Sequence, residues 1–209
     1  VSYEYQMRKG NLLGKKTYRI FLLINGIAGP VLLGTAVGTF FNGAEFIVHK
    51  EQLSVLSMPV ISQWATPWHG LEAVLNIWNV CLGIAVFFLA RVLAILYFMN
   101  NIDDESIRSQ SWNRLLPESI AFLLFFLAFL AHWLIADGFA VKPDTQEIFM
   151  QSYKYALNLL QMPYVTGILL VGVILVLWGI GKTYLNPSYR EGIWFSGTGT
   201  VLTVLALLL

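Results

Sequence analysis

Residues 20–41 read IFLLINGIAGPVLLGTAVGTFF, a run without one charged side chain. Crossing about 30 Å of hydrocarbon takes roughly 20 apolar residues in a helix. The stretch therefore reads as a membrane-spanning helix, which Pro30 is expected to kink. Gly34 and Gly38, one helical turn apart, offer it a close-packing face. The same reading applied outward predicts spans at approximately 20–41, 72–99, 119–137, 164–181 and 193–209. The expectation is an all-α, polytopic membrane helical bundle of about five transmembrane helices, with residues 1–209 forming a single membrane domain.

Composition agrees. Of 209 residues, 57% are hydrophobic and 12% charged, about half the roughly 25% charge of an ordinary soluble domain. With 13 Lys and Arg against 12 Asp and Glu, there is no basic excess for a nucleic-acid face. Apolar runs this long and unbroken also argue against a soluble enzyme. A single cysteine, Cys81, excludes an internal disulfide and a cysteine-based zinc or iron–sulfur site. The chain opens at Val1 without a signal-peptide pattern and closes inside the apolar run VLALLL at 204–209. That ending suggests an internal piece of a longer polypeptide, because helix carbonyls left in hydrocarbon would lack partners.

The connections set an orientation. Arg8, Lys9, Lys15, Lys16 and Arg19 precede the first span; Arg108 and Arg114, with Arg91 nearby, follow the second; Lys182 and Arg190 follow the fourth. The intervening loops carry only Lys50, Lys142 and Lys154. The positive-inside rule then puts residues 1–19 in the cytoplasm. Trp64, Trp68, Trp133, Tyr153, Tyr155 and Tyr164 fall near the opposite interface, as an aromatic belt would. Pro67 and Pro163 stand just before helical spans, where a missing N–H costs little.

Few residues suggest chemistry. Glu72, Asn76, Asn79 and Gly83 fall at steps of four, three and four, so they would form one stripe on a helix, continued by Ala90 and Ala94. Such a stripe should face the bundle interior, either as a helix–helix contact or as the lining of a proton or quinone route. Arg91 is the only Lys or Arg within a predicted span. Its guanidinium either reaches the inner interface or meets a carboxylate or anionic lipid, because side chains lean toward the helix N-terminus. Glu72 is nineteen residues away, roughly 28 Å along a helix, and cannot be that partner. His49, His69 and His132 show no metal-ligand spacing and read as interfacial hydrogen-bonding groups rather than haem ligands. Catalytic and metal-ligating residues are expected to be absent.

The order of short motifs resembles subunit II of the cytochrome bd quinol oxidases, closest to its Bacteroidetes-type members. Gly34-Thr-Ala36-Val-Gly38, with Gly43 and Phe46-Ile-Val48, is similar to the end of a span and its outer loop in that family. Pro67-Trp68-His69-Gly70-Leu71 resembles the start of the following helix, and Asp137-Gly138-Phe139-Ala140-Val141 the close of the next. The resemblance covers essentially the whole chain. It implies a fragment of an eight- or nine-span subunit that supports a haem-bearing subunit I, the holder of haem b and haem d. It further implies quinol oxidation coupled to reduction of dioxygen to water, a proton gradient across a bacterial cytoplasmic membrane, and a bound quinone in some members. Membrane lipids and small accessory subunits are compatible partners. Glu4-Tyr5 occupies the position of the family's acidic–aromatic pair, and the resemblance makes Glu4 a candidate for proton uptake. Gln6 stands where relatives have Arg, the basic neighbour being displaced to Arg8. The alternative class is a secondary transporter or channel with a path lined by Glu72, Asn76 and Asn79; a third is a scaffold without transport or catalysis. A transporter would favour broken helices in corresponding halves, and Pro30 offers only one break.

Overall fold

The computed structural model describes residues 2–8, 10, 13–43, 45–48, 62–142 and 148–208. Its helices are α1 (Ser2–Tyr5), α2 (Gly14–Asn42), α3 (Ile77–Asn101), α4 (Glu105–Ile135), α5 (Lys154–Gln161), α6 (Pro163–Leu185) and α7 (Gly192–Leu208). Two short antiparallel hairpins complete it, β1 (Phe46–Val48) with β2 (Ser62–Trp64) and β3 (Gly138–Val141) with β4 (Ile148–Gln151). Four helices, α2, α3, α4 and α6, are long and apolar enough to cross a membrane. The fifth expected span appears as α7, an apolar helix of 17 residues. The protein is an all-α polytopic bundle, as composition and run length require.

Helix boundaries differ from the expected spans at several ends: α2 already starts at Gly14, α6 runs on to Leu185, and the starts of the second and third have identifiable causes. The second span does not begin near 72: a 3-10 turn covers Leu71–Leu75, and the chain is extended at Asn76 (φ −65°, ψ 121°) before α3 starts. The asparagine causes the break. Its Oδ1 accepts the Trp78 N–H at 2.9 Å, so the side chain caps α3 in place of a preceding helical carbonyl. The third span does not begin near 119 either. Asp104 caps the Ile107 N–H at 3.0 Å and starts α4 at Glu105, and the helix runs on through Pro117. Arg108 and Arg114, expected in a loop, are therefore helical.

The chain forms two compact units, Val1–Phe87 and Phe88–Leu209. In the first, Gly34 and Gly38 of α2 meet the start of α3. A Cβ on Gly83 would lie 2.5 Å from the Val31 carbonyl oxygen, so only glycine permits this approach. Thr35, buried beside them, donates its hydroxyl to Val31 O at 2.8 Å.

In the second unit α6 and α7 are nearly in backbone contact. A Cβ on Gly199 would lie 2.5 Å from Gly172 O and 2.7 Å from Val176 N. Ser196 donates across this seam to Val176 O at 3.0 Å. At one end of the unit, the α3–α4 turn is tied to the α6–α7 turn. Arg190 pairs with Asp103 at 2.7 Å, Asn100 donates to Arg190 O at 2.8 Å, and Arg108 donates to Pro187 O at 3.1 Å. Trp112 stacks on Tyr184 at 5.5 Å and donates to its carbonyl at 3.1 Å. Near the other end, Trp133 lies 5.1 Å from Tyr155.

Candidate functional site

The in-span cation has an acidic partner. Arg91 Nε donates to Glu118 Oε2 at 2.8 Å, and Nη2 donates to Oε1, a two-pronged contact between α3 and α4. Both belong to the second unit. Arg91 lies ten residues before the end of α3 and Glu118 thirteen after the start of α4, about 15 Å and 20 Å from the connecting turn. The helices run antiparallel, and each side chain leans toward its own N-terminus, which closes the difference. Phe88 stacks on Phe125 at 6.0 Å beside the pair. The Glu118 side chain is 10% exposed and the Arg91 side chain 45%. The acid is thus enclosed, whereas the expected interior position of Arg91 is half-open. Its neighbours Ala90 and Ala94 are exposed too, so they do not continue an interior stripe.

Sequence reasoning missed Glu118 because it lay one residue outside the expected third span. Extending that span back to the Asp104 cap would have placed an acid in the same hairpin, and at similar depth, as Arg91.

The polar stripe resolves into two local networks in the first unit. Asn79 is fully buried; its Nδ2 donates to Ala73 O at 2.8 Å, and its Oδ1 accepts from Asn42 Nδ2. Glu72 lies in the 3-10 turn and not on the helix that carries Asn79. Its oxygens accept the Glu45 N–H at 3.3 Å and the Thr66 hydroxyl at 3.2 Å. Hydrogen bonds, first from its own backbone amide and then from Glu45, Thr66 and Gly70, hold this carboxyl below the usual range against the opposing effect of desolvation. Asn76 is spent on capping α3. These groups therefore join the loop Glu45–Thr66–Glu72 and the α2–α3 contact, and no single helical stripe connects them.

Glu4 sits in α1, paired with Arg8 at 3.1 Å, both side chains exposed. The Arg8 guanidinium also covers the Tyr5 ring at 5.1 Å, and Tyr5 stacks on Tyr18 of α2 at 6.1 Å. His69, at φ 51°, lies in a turn edge-on to Trp64 at 6.5 Å. His132 lines a cleft of about 370 Å³ with Ile135, Ala136, Asp137, Ser152 and Tyr153. His49 lies outside the described residues. Among the described residues no three His, Cys, Asp or Glu side chains gather as a metal site.

An all-α chain with four apolar helices of crossing length and a charge pair set between two of them is an integral membrane protein. The profile of the family described as cytochrome bd terminal oxidase subunit II matches residues 1–209, and the chain belongs to that family. Membership makes it part of a terminal oxidase complex, with subunit I as partner. No curated protein matches the chain.

Proposed function

We propose that this chain is the part of subunit II that stabilises a bd-type oxidase of the bacterial cytoplasmic membrane and helps supply protons to it. The complex oxidises quinol and reduces dioxygen to water, which contributes to a proton gradient. The family match across the whole chain carries this reading. Residues 1–209 act as one membrane domain of a larger subunit, with residues 1–19 on the cytoplasmic side.

Haems of the b and d types supply the electron and oxygen chemistry, and subunit I holds them. The histidine surroundings support that division. A porphyrin needs an axial ligand facing a closed, largely apolar slot. His132 opens on a cleft lined by Asp137, Ser152 and Tyr153, and His69 lies in an exposed turn. Neither neighbourhood fits a haem.

What this chain contributes is scaffolding and charge. The Arg91–Glu118 pair holds α3 against α4, and Asn79 holds the α2–α3 contact. Glu4, exposed and paired with Arg8, is the carboxylate we assign to proton collection at the inner surface. The test is to purify the full-length chain with its membrane partners and record a reduced-minus-oxidised spectrum and quinol-dependent oxygen uptake. Co-purifying haem d absorption with uptake is the expected result. A colourless, stable complex without uptake would remove the reading.

A further inference from the structure

The outward face of α2 changes character abruptly at one level. Lys15, Lys16 and Arg19 occupy its first turns and are exposed. Directly after them Ile20, Leu23, Ile24 and Ile27 are open at 54%, 64%, 54% and 41%, with Lys16 and Arg19 nearest their side of the helix and Lys15 further round. Positions 16, 20, 23, 24 and 27 follow the helical repeat, so the cations cap a continuous apolar strip. No Asp or Glu occurs between Glu4 and Glu45, and Glu4 is already paired with Arg8. The segment thus holds an excess of positive charge at the start of a helix long and apolar enough to cross a membrane. Tyr18, in the same turns, stacks with Tyr5, and such aromatics favour a membrane interface.

We infer that this face of α2 is a binding site for an anionic phospholipid of the inner leaflet. Its phosphate lies among Lys15, Lys16 and Arg19, and an acyl chain lies along Ile20, Leu23, Ile24 and Ile27. Charge complementarity selects the occupant: a zwitterionic headgroup brings its own cation to the cluster, whereas a headgroup with net negative charge does not. A protein partner covering the same strip would have to leave these cations in contact with a surface of opposite charge. The inference rests on α2 spanning the membrane with residues 1–19 on the cytoplasmic side, and it does not depend on the oxidase chemistry.

The complete complex, reconstituted in phosphatidylcholine nanodiscs, is probed with trace spin-labelled phosphatidylglycerol or spin-labelled phosphatidylcholine. The fraction of motionally restricted label is read by electron paramagnetic resonance. Wild type should restrict phosphatidylglycerol about fivefold more than phosphatidylcholine, the preference one well-placed cation can give. The triple variant Lys15→Gln, Lys16→Gln, Arg19→Gln should bring the ratio near parity. Lys182→Gln, removing a cation at another helix end, should leave it unchanged. A triple variant that keeps the full preference overturns the inference, as does wild type with no preference, which is the outcome if protein covers the strip. If the triple variant does not assemble, the wild-type ratio is measured across a salt series. It should fall as salt rises, and a ratio indifferent to salt overturns the inference. Haem content of the same preparations is scored separately, so failure of the oxidase reading leaves a distinct signature.

Discussion

Glu118 accepts Arg91 Nε at 2.8 Å across the α3–α4 hairpin, and its second oxygen takes Nη2 of the same guanidinium. The carboxylate is the enclosed member and the guanidinium the half-open one. Within an apolar span, removing Arg91 strands the enclosed carboxylate.

Arg91→Gln should destabilise the complex by about 3 kcal/mol, the usual cost of leaving an enclosed charge uncompensated, and Glu118→Gln by less, because the guanidinium it leaves is half-open. Thermal melts of the solubilised complex measure this. The double variant Arg91→Met, Glu118→Met should recover most of the loss. If each single variant melts like wild type, the pair is not holding the hairpin.

Asn79→Leu removes the partner of Asn42 and leaves the Ala73 carbonyl without its side-chain donor. A loss of about 1–3 kcal/mol is expected, the cost of stranded polar groups. Chemical denaturation followed by tryptophan fluorescence is the measurement, and a shift under a few tenths of a kcal/mol would contradict it.

The depressed carboxyl of Glu72 makes its loop contacts sensitive to acid. Its folded pKa lies below the ordinary 4.5. Its stabilising contribution is therefore fully present above 4.5 and is lost as pH falls through the lower folded value. Hydrogen exchange at the Glu45 amide should accelerate, beyond the intrinsic pH effect, in that acidic window. In Glu72→Gln that amide should already be less protected at neutral pH and show no extra acid step.

Glu4→Gln should slow steady-state oxygen consumption several-fold while haem content stays constant. The defect should ease as pH falls, since more abundant protons compensate for a lost collector. Wild-type turnover of the variant from mildly acidic to alkaline pH would leave Glu4 as a loop charge paired with Arg8.

Replacing His49, His69 or His132 with Ala in the assembled complex should leave every haem band intact. Loss of one band with assembly preserved would assign that histidine a haem.

Fold class was legible because it depends on run length and composition, which local breaks do not change. The boundaries were less legible because they turn on single side chains. Asn76 caps a helix that hydropathy alone would have begun near 72, and Asp104 starts one that hydropathy alone would have begun near 119. The in-span Arg91 was visible as an anomaly, but its partner Glu118 lay one residue outside the expected third span, on a helix that runs back to Glu105. The β hairpins were not foreseen, since strands of three or four residues carry too little alternation to stand out. Tight contacts such as Gly199 against Gly172 leave only a small-residue spacing in the sequence, too common to name a partner.

Pro117 stands immediately before Glu118 in α4, a helix of 31 residues and so about 46 Å long. That exceeds the hydrocarbon thickness by roughly half. Proline has no N–H to give the carbonyl four residues earlier, so the ladder of backbone bonds is weakest there. Arg91 clamps the helix one residue beyond that weak rung. The missing rung falls between two anchorages, Arg91 on Glu118 beyond it and, before it, Arg108 on Pro187 O and Trp112 on Tyr184, so the helix keeps its course there without that backbone bond.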